Sequence, residues 1–96
     1  MRTYKIDRYM KFLVIWYFMQ RDMNPAVIKA VLGLRDYAKS LKRQGKLESY
    51  YHIVGRHGGA WIFDVESNDE LDRLIAGMPV YNYAEYHIYP LTEMKE

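Results

Sequence analysis

The stretch from Leu47 to Val65 constrains the fold of this chain more than any other part of the sequence. It contains two runs rich in Tyr, Ile, Val, Trp and Phe, with the letters LESYYHIVG and AWIFDV, separated by RHGG. Aromatic and β-branched residues favour strands, and a glycine pair between two such runs is typical of a tight turn. The sequence therefore predicts a β-hairpin in the middle of the chain.

Helical patterns flank this hairpin, and an apolar strand lies beyond each of them. Asn24 with Pro25 predicts the start of a first helix and Gly45 its end, because Asn caps helices, Pro fits their first turn and Gly follows their last. Ser67, with a Glu three residues later, forms a capping box that opens a second helix, and Pro79 ends it. The order strand, helix, strand, strand, helix, strand predicts a ferredoxin-like βαββαβ fold of the α+β class. In this fold a four-stranded antiparallel sheet carries both helices on one face.

The outer strands complete the predicted domain. The first, residues 10–19, is apolar on both of its faces, as in a strand that is covered on both sides. The last, residues 80–89, alternates in polarity and ends before Pro90. We expect residues 1–9 to be an N-terminal arm or tail, residues 10–91 to be a single domain, and residues 92–96 to be a C-terminal tail.

Composition limits the classes of function. Ten Tyr and two Trp supply more ring surface than one small core buries, so we expect an oligomer. The 14 basic and 12 acidic residues are scattered along the chain, which argues against nucleic acid as a partner. Because there is no Cys, disulfides and sulfur-bound metals are excluded. The apolar first strand is about half as long as a membrane span, so we expect no membrane contact and a cytoplasmic setting.

Alternation along the strands predicts which residues share each face of the sheet. We expect the more uniformly apolar set to face the helices, namely Leu13, Ile15, Tyr17, Ile53, Ala84 and Ile88. The opposite face is then predicted to carry Phe12, Val14, Trp16, Glu48, Tyr50, His52, Trp61, Phe63, Tyr83, Glu85 and His87. Such a face is too apolar for a monomer, so we expect face-to-face dimerisation with a pocket inside.

Four ionisable residues on that predicted face are the candidates for acid–base chemistry, namely His52, Glu85, Glu48 and His87. A carboxylate beside an imidazole in an apolar pocket can donate or accept a proton near neutral pH. The candidates for holding a substrate ring are Trp16, Tyr50, Trp61 and Tyr83. The alternative is that the Glu and His residues only form polar contacts across strands or an interface. Without a close metal-ligand motif or a phosphate-binding glycine pattern, we expect neither a metal nor a cofactor.

Five short patches of the sequence resemble the muconolactone delta-isomerase family. They are Asp22-Met23-Asn24-Pro25-Ala26, Arg43-Gln44-Gly45, Ile53-Val54-Gly55, Ile62-Phe63-Asp64-Val65-Glu66-Ser67 and Met78-Pro79-Val80-Tyr81. The resemblance covers residues 10–91. It implies a dimeric α/β barrel, assembly of dimers into a larger ring, and a cytoplasmic role in the catabolism of aromatic compounds. It also implies that a small lactone carboxylate is isomerised by proton transfer without metal or cofactor.

The sequence departs from the family pattern where chemistry is expected. Gly33 and Leu34 stand in the first helix where the family has acidic residues, and Glu48 and His52 stand in strand two where it has basic ones. Because an anionic lactone needs a cationic partner, Glu48 in place of a basic residue reverses the sign of the charge there. Glu85 remains acidic, as in the family.

Two hypotheses from different classes follow from these patterns. In the first, the protein is a cofactor-independent isomerase of a small cyclic, lactone-like molecule, in which His52 and Glu85 exchange protons while Glu48 and His87 tune them. In the second, it is a non-catalytic small-molecule-binding or assembly module whose aromatic face makes the dimer. A heme- or flavin-using oxygenase of the same barrel class is a third alternative, because two histidines on a pocket face could bind heme iron.

Overall fold

The computed structural model describes residues 10–94 of the 96-residue chain. The predicted N-terminal arm lies outside the described residues, as do the last two positions. The elements are β1 (Met10–Phe18), α1 (Pro25–Arg43), β2 (Leu47–His52), β3 (His57–Val65), α2 (Asn68–Ala76) and β4 (Glu85–Leu91). The strands pair antiparallel in the order β2-β3-β1-β4. This order confirms the predicted ferredoxin-like α+β fold. Within residues 10–94, no helix is long and apolar enough to cross a membrane.

Both helices begin at the capping residues that the sequence predicts. The Asn24 side chain accepts a hydrogen bond from the backbone N–H of Val27 at 3.0 Å, and the Ser67 hydroxyl accepts one from Glu70 N–H at 3.0 Å. Each bond satisfies an N–H that has no partner inside its helix. After α1, Gly45 adopts a φ of 76°, a left-handed conformation that glycine takes without strain. The chain can therefore turn directly into β2.

The glycine pair of the hairpin lies inside β3, whereas the turn itself is formed by residues 53–56. Gly55 supplies the left-handed position of that turn, with a φ of 83°. A Cβ at Gly58 would lie 2.2 Å from the Trp16 carbonyl oxygen, and one at Gly59 would lie 2.9 Å from the Trp16 indole. The sequence predicts that these two glycines form the turn. In the structure they instead allow close contact between β3 and β1.

The last strand begins later than predicted. Residues 80–83 form turns, in which Tyr83 N–H donates to the Val80 carbonyl at 2.9 Å. The strand β4 begins at Glu85 and continues past Pro90 to Leu91. Val80 is completely buried in the core. The chain must therefore pass through the core at Val80 before it reaches the edge of the sheet, where β4 starts. Pro90 does not end β4 because this strand is at the edge of the sheet, where a missing N–H breaks no ladder.

The core lies between the sheet and the helices, and it contains the face of β1 that was predicted to be open. Phe12, Val14, Trp16 and Phe18 are buried there together with Trp61, Phe63 and Val65. The predicted assignment of the two faces was therefore wrong for β1 and β3. It was also wrong for Tyr50 and His52 of β2, which pair with Trp61 and Gly59 and so lie on the helix side. Both faces of β1 are apolar, so alternation could not decide between them. The larger rings lie on the helix side, where they bury the most apolar area.

Candidate functional site

The face of the sheet opposite the helices, called the open face here, is apolar in its centre. Leu13 and Ile15 of β1 and Ala60 and Ile62 of β3 lie in this centre and are partly exposed. Across β1, the strand β4 places Glu85, His87 and Tyr89 directly opposite Tyr17, Ile15 and Leu13. Directly opposed residues of antiparallel strands share a face, so these three side chains also belong to the open face.

One end of the open face carries four polar side chains, Tyr17, Arg56, Glu85 and His87, called the Tyr17 cluster here. The Tyr17 hydroxyl lies 3.4 Å from Glu85 Oε1 and 3.2 Å from His87 Nε2. Its ring stacks on the His87 imidazole, with the centroids 5.6 Å apart and the planes 10° from parallel. The Arg56 guanidinium lies 4.5 Å from the centre of the same ring. A carboxylate, an imidazole and a cation thus surround one phenol.

Three elements position the Tyr17 cluster. Tyr17 is near the end of β1, and antiparallel pairing brings the start of β4, with Glu85 and His87, beside it. Arg56 comes from the turn between β2 and β3, immediately after the left-handed Gly55. The cluster therefore depends on the strand register together with the geometry of one turn.

Glu48 lies at the other end of the open face. Its carboxylate forms an ion pair with Lys11 at 2.6 Å, and this hydrogen bond raises the pKa of Lys11 above its ordinary value. Lys11 and Tyr17 are six residues apart on β1, which is roughly 20 Å along a strand. The structure therefore does not bring Glu48 to Glu85 or His87.

His52 lies at the exposed end of β2, opposite Gly59. This position is on the helix side of the sheet, because a Cβ at Gly59 would meet the Trp16 indole. The strands β2 and β4 are the two edges of the sheet, separated by three strand spacings or roughly 14 Å. His52 and Glu85 are therefore on different faces and different edges.

The four aromatic candidates for holding a ring are on the helix side or in the turn before β4. Trp16 and Trp61 are only 5% and 4% exposed and pack edge to face with centroids 6.2 Å apart, so they are core residues. Tyr50 is half-buried against Trp61. Tyr83 is exposed in the turn before β4. None of the four lies on the open face.

The helix side also contains two buried polar groups that the sequence did not identify. Among the described residues, neither the Trp16 indole N–H nor the Tyr86 hydroxyl has a hydrogen-bond partner. The two residues are directly opposite each other on β1 and β4. Burial raises the pKa of the Tyr86 hydroxyl, so this group stays protonated. Within residues 10–94, no group of three or more His, Cys, Asp or Glu side chains is arranged to bind a metal.

The profile of the muconolactone delta-isomerase family matches residues 10–96. The chain belongs to this family. The muconolactone delta-isomerase of Cupriavidus pinatubonensis is 40% identical over 84 residues, which cover 80% of this chain and 91% of that protein. The enzyme of the same name from Rhodococcus opacus is 36% identical over 74 residues, covering 76% of this chain and 80% of that protein. A crystal structure of muconolactone isomerase has the same fold, with a TM-score of 0.77 at 24% identity, covering 88% of this chain and 91% of that one.

Membership of the muconolactone delta-isomerase family makes this an isomerase-like protein. Two polar residues of its open face, Tyr17 and Arg56, could not be recognised as site residues from the sequence. Tyr17 carries no signal of its own, because it follows a run of apolar and aromatic residues in β1. Arg56 lies in a turn, where exposure to solvent is the default expectation. Only the β1–β4 register could have identified Tyr17, by placing it opposite Glu85.

Proposed function

We propose that this protein isomerises a small cyclic, lactone-like molecule by general acid–base proton transfer, without a cofactor. Family membership supports the reaction class. The observation that carries the proposal at the level of residues is the Tyr17 cluster, in which Glu85 and His87 lie within hydrogen-bond distance of one hydroxyl. A carboxylate and an imidazole this close can act together on one substrate: the imidazole takes a proton and delivers one, and the carboxylate stabilises the cation that forms in between.

In the proposed reaction a proton leaves one ring carbon and returns to another. The base takes the proton, the C–H electron pair moves into the conjugated system, and charge builds up on the lactone oxygen. Arg56, beside the cluster, would stabilise this negative charge. The acid then delivers a proton to the second carbon, so the double bond has moved and the molecular formula is unchanged.

A homodimer formed through the open face is part of the proposal. The face has an apolar centre, and its flanking side chains Tyr51 and Tyr89 are 61% and 49% exposed. A second copy would cover this surface and enclose the Tyr17 cluster, which excludes water from the reaction. A larger ring of dimers and a cytoplasmic role in the catabolism of aromatic compounds, both implied by the family resemblance, are proposed with it.

The other predicted site residues have no part in this mechanism. The catalytic roles of His52 and Glu48 stay predictions, and the positions of the two residues, away from the Tyr17 cluster, do not favour them. The same holds for ring binding by Trp16 and Trp61, which are core residues, and by Tyr50 and Tyr83.

Turnover of muconolactone and related lactones in D₂O tests the proposal. We expect solvent deuterium in the product, detected by NMR. We also expect a fall in kcat of about 100-fold or more in Glu85→Gln, because the carboxylate that stabilises the imidazolium during proton transfer is lost. Asp72→Asn, an exposed change on α2, is the matched control and keeps full activity.

A stable dimer that neither turns over nor binds any of these lactones would contradict the proposal. That result would favour the non-catalytic assembly module, for which the exposed apolar open face is the supporting observation. Unchanged kcat in Glu85→Gln would remove this residue from the mechanism.

A further inference from the structure

We infer that Tyr17 is a positioning residue that fixes the tautomer of His87, so that Nδ1 is the nitrogen left free to accept a proton. The hydroxyl of Tyr17 lies between Glu85 Oε1 and His87 Nε2, and it connects the two groups into one chain. The catalytic consequence rests on the proposed function, whereas the tautomer itself is a property of the protein without substrate.

Hydrogen-bond counting gives the direction of this chain. A hydroxyl has a single proton to donate, and a carboxylate only accepts. The Tyr17 hydroxyl therefore donates to Glu85, and its oxygen lone pair accepts from the Nε2–H of His87. The opposite direction would point oxygen lone pairs of Tyr17 at the Glu85 carboxylate, which is repulsive. A neutral imidazole carries one proton, so Nδ1 keeps its lone pair.

The surroundings of the two rings support this arrangement. The positive charge of Arg56 over the Tyr17 ring draws electron density from the phenol and strengthens its hydroxyl as a donor. Stacking of the imidazole on the phenol resists a flip of the His87 ring, which would exchange its nitrogen and carbon positions. The residue opposite His87 on β1 is Ile15, which offers no competing hydrogen bond.

The chain of hydrogen bonds has a consequence for proton transfer. When Nδ1 of His87 takes a proton from a substrate carbon, the imidazole becomes a cation. Glu85 stabilises this cation through the Tyr17 hydroxyl. The Nδ1–H exchanges with solvent while the cation lasts, and it then delivers a proton to the second carbon. Tyr17 is neither consumed nor changed in this step, so its role is to orient His87 and to connect it to the carboxylate.

Nitrogen-15 NMR of the histidine-labelled protein, without substrate, tests the tautomer. The His87 signals are identified by their absence in His87→Gln and are read at a pH where the imidazole is neutral. We expect the Nε2–H form to dominate in the wild type. In Tyr17→Phe the ratio of the Nε2–H to the Nδ1–H form should fall about fivefold, the change expected when one ordinary hydrogen bond is lost.

Tyr89→Phe is the matched control, since it removes a hydroxyl from the same face and the same sheet without touching the cluster. Its tautomer ratio should equal that of the wild type. In turnover assays, Tyr17→Phe should lower kcat about tenfold with little change in KM, because the phenylalanine ring still stacks but no longer orients the base.

Three results would overturn the inference: a wild-type His87 that carries its proton on Nδ1, equal ratios in Tyr17→Phe and Tyr89→Phe, or an altered ratio with unchanged kcat. Absence of turnover in the wild type would instead contradict the proposed function, and the tautomer measurement would still decide the arrangement of the Tyr17 cluster.

Discussion

Glu70 is a buried carboxylate at the start of α2, and its contacts explain how it is tolerated there. Its Oε2 accepts a hydrogen bond from Lys46 Nζ, and its Oε1 accepts one from the backbone N–H of Glu66 at 2.8 Å. These partners, Lys46 first, hold the pKa of the Glu70 carboxyl below its ordinary value. A buried charge that is paired and hydrogen-bonded in this way stabilises the fold only while it stays ionised.

The stability of the protein should therefore decrease in acid through Glu70. Because the folded-state pKa is lowered, the contribution of this group is present above the ordinary value of 4.5 and is lost as the pH falls through the folded-state pKa. Glu70→Gln should lower the free energy of unfolding at neutral pH by about 1–3 kcal/mol. The variant should also lose less stability than the wild type between about pH 5 and pH 2.

Urea unfolding at several pH values measures both effects. Asp72→Asn, an exposed carboxylate on the same helix, is the control and should follow the wild-type pH dependence. If Glu70→Gln showed the same acid dependence as the wild type, Glu70 would not be a source of the acid sensitivity.

A tyrosine side chain forms a hydrogen bond from α1 to α2. The Tyr37 hydroxyl of α1 donates to the Leu74 carbonyl of α2 at 2.6 Å, and burial raises the pKa of Tyr37. Gly77, directly after α2, leaves room for this hydroxyl, since a Cβ there would lie 2.8 Å from it. The contact of Tyr37 with α2 therefore needs both the hydroxyl group and the space that Gly77 leaves for it.

Tyr37→Phe should lower the free energy of unfolding by about 1–2 kcal/mol. The ring still packs, but the half-buried Leu74 carbonyl loses a partner. Thermal or urea unfolding of the variant measures this, with Tyr83→Phe as a control, because the Tyr83 side chain is exposed in the turn before β4 and lies off the open face. Equal stability of the two variants would show that the Tyr37 bond adds nothing to the packing of the helices.

At the scale of the whole molecule, the two faces of the sheet differ: the helices cover one face, and the other is open. The helices cover the face that contains Phe12, Trp16 and Phe63, whereas Leu13 and Ile15 on the other face remain partly exposed. A sheet with apolar residues on both faces needs a second layer, and the proposed partner copy provides it.

Ile15→Glu should convert the dimer to a monomer that remains folded. The carboxylate would be buried without a partner in the dimer, whereas in the monomer it faces water and leaves the helix-side core intact. Analytical ultracentrifugation measures the mass, and circular dichroism checks the fold. Leu32→Glu should leave the dimer unchanged, because Leu32 of α1 is 74% exposed and lies away from the open face. A folded dimer of the Ile15→Glu variant would exclude the open face as the interface.

The sequence by itself determined the elements, their order and the fold, because these depend on local chemistry. Asn24 and Ser67 cap helices whatever surrounds them, and the β-branched and aromatic runs favour strands. The sequence also predicted that Glu85 and His87 are candidates for proton transfer. In the structure both lie within hydrogen-bond distance of the Tyr17 hydroxyl. Two residues on alternate positions of one strand share a face in any register.

Only the tertiary structure decided which face of the sheet each candidate occupies. An alternating pattern fixes which residues share a face, but it does not say which face the helices cover when both sets are apolar, as in β1. The side with Trp16 was buried because its rings fill the space beneath the helices. The contact of Tyr17 with Glu85 spans 68 positions in sequence, so it depends on the pairing of β1 with β4, and no local pattern encodes that register.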